Sequence, residues 1–469
     1  MIYYIYLLVS LLLFVFSPEE FSPSLCISCA LIFVLHFYRV ITIDNRLCKF
    51  GSITFNVLFS LSAVAVIFVF PLLIYGTSKD YSFRALSIFN ESAINKVTAL
   101  STFGYSLYLI SYEHYLLASF KQSSYVQVRI RLGKAALFIS KLLAILFVIA
   151  FTINLLFFTR TVDSTHNDLS VNTYIAELTK CFLTICLLFC CEKYKYSIKD
   201  NANAFFRIAF VPIVCFLLIM LEYLYIGDRG FVIVGGFTLL FIYGHYVKRI
   251  KSVIAIPTAI VAIVIMSLVG QLRKSDASLR EGGLSSFVTA SSEIVGSSNN
   301  TLDFISDLTL VSNVAYLEWD YSLNTPLYKP ERILILLTYP IPMAPSILSS
   351  VLYNEKATSI STGSAVTNYY NSQITNAGEG GLGTQLIMDL YMSWRLVGVV
   401  IGMGLLGLFL GKANVFRYDN IYYLILLLDF YGLAIYLPRS TVYVCFRTIV
   451  WEILIIAILT KIEKVRVKR

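Results

Sequence analysis

Long apolar runs separated by short polar connections repeat along most of the chain, at lengths that a bilayer demands. A hydrocarbon core of ~30 Å takes about 20 residues of α-helix at ~1.5 Å each. That ruler predicts helices over residues 1–16, 24–43, 53–75, 93–112, 135–158, 174–191, 204–226, 229–246 and 253–270. After a long interval it predicts three more, over 395–411, 421–437 and 442–460. The expected fold class is therefore all-α, a polytopic membrane protein of about 12 transmembrane helices. The first run, Met1–Phe16, has no basic flank before it and no small-residue cleavage site after it, which predicts a retained first helix.

The interval divides the chain into residues 1–270 with helices 1–9, a loop over 271–394, and residues 395–469 with helices 10–12 and a basic tail. A connection so long is functional or disordered, and its content of Leu, Ile, Val and Tyr predicts a packed, mainly helical region. Asn300 to Leu317 carries apolar residues at roughly helical spacing behind a Ser/Asn-rich start. Residues 333–352 are apolar enough to span. Tyr339-Pro340-Ile341-Pro342 and Pro345 break their centre, however, which predicts a re-entrant or interfacial hairpin.

Composition supports lipid as the solvent: 58% of residues are hydrophobic and 14% are charged, more apolar surface than a soluble fold could bury. The net charge of +9 comes from basic clusters between apolar runs, so it reads as membrane orientation and not as nucleic-acid binding. With the N-terminus inside, fourteen Lys and Arg of the connections and five of the tail fall on the cytoplasmic side. Only five fall in the short external connections: Lys79, Arg84, Arg160, Arg229 and Arg439. Both termini are thus expected in the cytoplasm of a bacterial inner membrane, with 271–394 outside as a periplasmic loop. The nine cysteines all lie in or beside apolar segments, where they read as small buried hydrophobes and not as disulfides or metal ligands. No metal or cofactor is expected.

Charges in or just under the hydrocarbon layer cost ~2.5–3.5 kcal/mol each on insertion scales and ask for a reason. Glu222, Asp228, Arg229, Asp429, Arg447 and Glu452 are such residues, and Arg273 and Arg280 open the large loop. Arg229, Arg273, Arg280, Arg439 and Arg447 would all lie on the external side, and guanidinium forks match phosphate oxygens bidentately. The set fits a diphosphate held at the interface, with local pairing and snorkelling as the alternative for each member. Glu222, Asp228, Asp429 and Glu452 are expected as supporting counter-charges, and a proton relay through Asp429 and Glu452 stays open. Gly398, Gly402, Gly407 and Gly411 recur at near-helical intervals, which predicts close helix packing. The Gly-rich turn Ala377–Gly383 has no Walker-type lysine, and none of the four histidines falls in the large loop.

Gly227-Asp228-Arg229-Gly230 at a helix start, the Tyr339–Pro345 proline cluster, and Gly381–Gly411 with its acidic element Asp389-Leu390-Tyr391 together resemble the Wzy-type O-antigen polymerases. The resemblance implies a membrane-embedded glycosyltransferase that joins undecaprenyl-diphosphate-linked oligosaccharide repeat units and releases undecaprenyl diphosphate. It implies that arginines stabilise the leaving diphosphate, with Arg229 in the catalytic set, and that a carboxylate, Asp389 or Glu379, activates the acceptor hydroxyl. A structural role for Asp389 stands beside that one. Tyr369 and Tyr370 are candidates for stacking on sugar rings, with packing as the other account. Membrane lipids and a separate chain-length regulator are the further partners implied.

An O-antigen ligase has a similar layout, but that family's loop uses a histidine. A lipid-linked oligosaccharide flippase has no use for a folded external region of this size. A non-catalytic scaffold needs no arginines in the bilayer.

Overall fold

The computed structural model describes residues 2–47, 54–75, 90–121, 133–158, 171–226, 230–248, 250, 301–324, 337–353, 365–366, 369–370, 383–418, 420–441 and 446–467. Among these residues the regular structure is all helical and contains no strand. The first half holds α1 (Ile2–Val15), α2 (Pro23–Leu47), α3 (Phe55–Val64, continued as a π-helix over Ala65–Tyr75), α4 (Glu91–Lys121) and α5 (Lys134–Phe158). Next come α6 (Val171–Lys193), α7 (Ala202–Ile208), α8 (Phe210–Ile226), α9 (Gly230–Tyr246), α10 (Thr301–Asn324) and α11 (Ala344–Tyr353). The chain closes with α12 (Leu386–Phe416), α13 (Ile421–Gly432) and α14 (Phe446–Val467).

The apolar runs expected to be helices are mostly helices where they fall on described residues, but the run 421–437 is α-helical only to Gly432 and ends in a turn and a 3-10 turn; the run 253–270 lies outside the described residues. By length and composition, 5 of the described helices can cross a membrane, and α7 with α8 makes a sixth if the bent pair is one span. α1, α9 and α13 are shorter apolar helices. The expected span 204–226 is not one straight rod: α7 and α8 meet at 76°. Pro212 is the cause, because its ring would collide with the carbonyl four residues back, at Ile208, where α7 stops.

The chain forms two compact units, one of residues 1–49, 54–130 and 308–450, the other of residues 50–53, 131–307 and 451–469. In the first unit α4 is the central helix, with α12, α1 and α2 packed on it. Small residues permit the approach. A side-chain carbon on Gly407 would overlap the Tyr108 carbonyl, and one on Gly411 would press on Tyr112, so the near-helical glycines of α12 do mark close packing.

Helix α4 is lined with polar groups, and several of them bond to neighbouring elements. At its N-terminal end Glu91 accepts from the Phe21 amide (3.1 Å) and the Tyr75 hydroxyl (2.6 Å), and Asn95 binds the carbonyls of Pro18 and Glu20, tying down the α1–α2 connection. Lys96 donates to the Phe14 and Val15 carbonyls at the C-terminal end of α1, where a helix leaves acceptors unfilled. Further along, Tyr105 meets Ser60, and Tyr108 meets Asn56 at 2.5 Å. Asn56 donates to Asp44 (2.7 Å), which also accepts from Tyr112 (2.7 Å), and Asn414 of α12 donates to Tyr112 (2.6 Å).

The π-helical stretch explains how α10 is seated. In an i→i+5 register the Val66 carbonyl would receive the amide of residue 71, which is proline and has none. Ser312 of α10 supplies the missing donor, its Oγ 2.5 Å from that carbonyl, and Tyr316 lies on Phe70 one turn later. The helix expected from Asn300 thus exists and is longer, and over Val311–Trp319 it is buried on every side.

In the second unit α5 and α6 join through Thr179 donating to the Phe147 carbonyl (3.1 Å), and α5 and α8 through Phe151 on Tyr223. Tyr246 of α9 donates to Glu192 of α6 at 2.9 Å. Cys181, Cys186, Cys190, Cys191 and Cys215 are buried within these helices.

Replacing Ser312 by Ala should destabilise the protein by about 1–3 kcal/mol, the cost of an unpaired buried acceptor. In a Pro71→Ala background, where residue 71 regains its amide, the same change should cost less. Thermal unfolding of the four forms in detergent measures the coupling, and additive effects would refute it.

Candidate buried carboxylate site

Helix α10 and the opening turn of α12 assemble a polar cluster in the first unit. Gly383 turns the chain with φ +81°, which a side chain would strain, and Gln385, in extended backbone, leads into α12. The Thr384 hydroxyl donates to Glu318 Oε1 at 2.5 Å, and Ser101 of α4 meets Gln385 Oε1 at 3.3 Å. Asp389 lies one turn into α12, its amide donating to the Gln385 carbonyl at 2.8 Å. Glu318 is 0% exposed and Asp389 4%. Burial holds the Glu318 carboxyl well above the usual carboxylate range; the Thr384 bond draws it down in part, the nearby Asp389 charge pushes it up again, and the Gln385 amide draws it down.

Just beyond, α12 is broken. Trp394 (φ −142°, ψ 30°) and Arg395 (φ 55°, ψ −143°) leave helical geometry, and Arg395 occupies backbone space that favours glycine. Its guanidinium is held by the Ser322 carbonyl at 2.6 Å and lies 5.4 Å from the centre of the Tyr391 ring. The chain folds back at this point. Gly398 sits directly on the Leu390 carbonyl, with no room for a side-chain carbon, and Gly402 lies against the Leu390 methyls. Trp319 stacks on Tyr391 (5.2 Å), Phe14 meets both rings edge-on, and Trp394 is 42% exposed beside the break. The expected transmembrane helix from residue 395 is therefore the second limb of a helix that starts at Leu386.

Of the five arginines singled out in the sequence, two fall on described residues. Arg447 is 4% exposed, with Nε donating to the Tyr339 carbonyl at 2.9 Å and its charge 4.9 Å from that tyrosine's ring centre. It thereby seats the turn Thr338–Met343, where the proline cluster breaks the chain before α11. Arg439 ends a 3-10 turn, Leu437–Arg439, and stands 5.4 Å over Tyr436. Arg229, Arg273, Arg280, Glu379 and Asp228 lie outside the described residues. Glu222 accepts from Thr152 at 2.6 Å, and Asp429 and Glu452 are buried. Tyr369 meets Tyr321 and Tyr370 edge-on, and Tyr370 is buried.

Glu318 and Arg395 are the residues that sequence reasoning passes over. Glu318 stands beside Trp319-Asp320 in a helix with other acids, a pattern that reads as a solvated face. Arg395 follows a tryptophan with no glycine or proline to signal a break.

These features define an all-helical membrane protein with two carboxyl groups buried against a strained helix break. The chain belongs to the O-antigen polysaccharide polymerase Wzy family, whose model matches residues 1–468. It is a membrane polymerase of polysaccharide biosynthesis, an enzyme of the glycosyl-transferring kind. Neither a curated protein nor a solved structure matches the chain.

Because Arg395 pays a backbone penalty that glycine does not, Arg395→Gly should melt higher than Arg395→Ala by about 1 kcal/mol. Equal melting of the two variants would show that the break is not strained.

Proposed function

We propose that the enzyme joins oligosaccharide repeat units carried on undecaprenyl diphosphate, at the periplasmic face of the bacterial inner membrane, and releases undecaprenyl diphosphate. The observation that carries this reading is Asp389, a carboxylate 4% exposed at the start of α12 in a chain that belongs to the polymerase family. In this reading both termini are cytoplasmic and residues 271–394 form the external region that meets the glycan. Lipids surround the helices, and a separate chain-length regulator docks on the assembly.

The reaction needs a base for the acceptor and compensation for the leaving group. Asp389 takes the proton from a sugar hydroxyl, with Glu379 as the second candidate. The freed oxygen bonds to the anomeric carbon of the other unit, and the bond from that carbon to the diphosphate oxygen breaks with its electron pair. Guanidinium groups neutralise the charge that grows on the diphosphate, a role in which preorganised donors are worth most when water is scarce. Arg439 and Arg447 belong to that set, and Arg229, Arg273 and Arg280 keep the role their sequence positions suggest. Arg447 is buried and held in place by the Tyr339 carbonyl and ring.

Cells lacking the protein should carry surface lipopolysaccharide with a single repeat unit on its core. Wild type should restore the ladder on a gel, and Asp389→Asn and Arg447→Ala should restore it poorly or not at all, despite normal protein levels. Loss of even the single unit on deletion would point to transport or ligation instead, and a full ladder from Asp389→Asn would remove Asp389 from the chemistry.

A further inference from the structure

Glu318 has no part in the reaction as so far described, yet it is a fully buried acid beside the proposed base. The Thr384 hydroxyl dresses Oε1 at 2.5 Å, while Oε2 is buried without a hydrogen-bond partner among the described residues. An apolar side chain would fill the same space without the desolvation cost, so a carboxyl group there asks for a reason. Two carboxylates close together in a dry interior cannot both be ionised, and one proton between them resolves the conflict.

The charged groups on the surrounding elements are engaged elsewhere. Lys96 of α4 is bound to the Phe14 and Val15 carbonyls, and Arg395 of α12 to the Ser322 carbonyl and the Tyr391 ring. Asp320, two residues on, accepts from the Asn90 amide at 2.8 Å, and Glu91 of α4 is bound to Phe21 and Tyr75. Tyr316 and Tyr391 are the other titratable side chains packed in this region, both buried among aromatic rings.

We propose that Glu318 stands as a neutral acid that directs its Oε2 proton at Asp389 and so orients the base for the acceptor hydroxyl. It is a positioning residue, and the inference rests on the reading of Asp389 as that base. Thr384 holds Oε1, which leaves the proton on Oε2, where no other acceptor is offered. One oxygen of Asp389 accepts this proton as a hydrogen bond. The other oxygen removes the hydroxyl proton as the sugar oxygen bonds to the anomeric carbon and the diphosphate departs with the electron pair. Asp389 then passes that proton to solvent, and the Glu318 proton is not consumed.

The test is the pH dependence of polymerisation by the full-length chain in membranes, with undecaprenyl-diphosphate-linked repeat units as substrate. Glu318→Gln keeps a donor and an acceptor but cannot ionise. Glu318→Leu keeps the volume and removes both. In wild type the rate should fall on the alkaline side, as Glu318 loses its proton and both acids become charged. Glu318→Gln should abolish that alkaline fall. Glu318→Leu should lose ~10²-fold in kcat, the typical scale of acid–base assistance, with KM little changed, and Glu318→Gln should recover most of that loss.

An alkaline limb identical in wild type and Glu318→Gln, or wild-type kcat in Glu318→Leu, would overturn the proposal. Should Glu318→Leu fail to accumulate in membranes, the Glu318→Gln profile decides alone. Asp389→Asn separates the two readings. An active Asp389→Asn enzyme defeats the base assignment, and the inference with it. An inactive one, together with an unmoved alkaline limb in Glu318→Gln, defeats only the role of Glu318.

Discussion

The first unit is organised by one constraint: α4 carries a ladder of polar groups in the middle of a protein whose solvent is lipid. Hydrocarbon offers no donors or acceptors, so such groups depend on partners from the protein. Asp44 on α2, Asn56 and Ser60 on α3, and Gln385 and Asn414 on α12 supply those partners, and with them the register of each helix against α4. Glycines on α12 let the two backbones approach closely enough for the bonds to form. Polar satisfaction and small-residue packing are thus one design: either without the other leaves a buried group unpaired or a helix held too far away.

The same logic governs the irregular places. Pro71 forbids an amide where the π register needs one, and Ser312 answers it from α10, which fixes that helix beside the middle of α3. Arg395 bends α12 back on itself at a backbone cost, and the Ser322 carbonyl, the Tyr391 ring and the Gly398–Leu390 contact hold the bend. Arg447 pins the proline turn at Tyr339 in the same manner. The strained break at Trp394–Arg395 follows Asp389 on the same helix, beside the acid that the proposed reaction uses as its base.

The acid pair shows why such a site hides from sequence. Asp389 stood out because a carboxylate followed a glycine turn and preceded a glycine-rich helix. Glu318 lies seventy-one residues earlier, among aspartates and aromatics on a helix that gives no sign of having all its faces covered. Its environment is made by Thr384 and Asp389 of α12 and by the neighbouring α4, none of which is local to it. Arg395 was likewise silent, since the tight contact of Gly398 with Leu390 that accompanies the break is legible only once the chain is folded.

By itself the sequence determined the all-helical class, the placement of the apolar helices, the break at the proline cluster and the membership of the O-antigen polymerases. These follow from the length of apolar runs and the stereochemistry of proline and glycine, which act on a few neighbouring residues at a time. Tertiary structure decided which polar groups meet, that α10 is enclosed by other helices, that α12 folds back at Trp394–Arg395, and that Glu318 is fully buried against Thr384 at the entry to α12. Those outcomes depend on where lipid and water are absent, and only helices brought together from distant parts of the chain can exclude both.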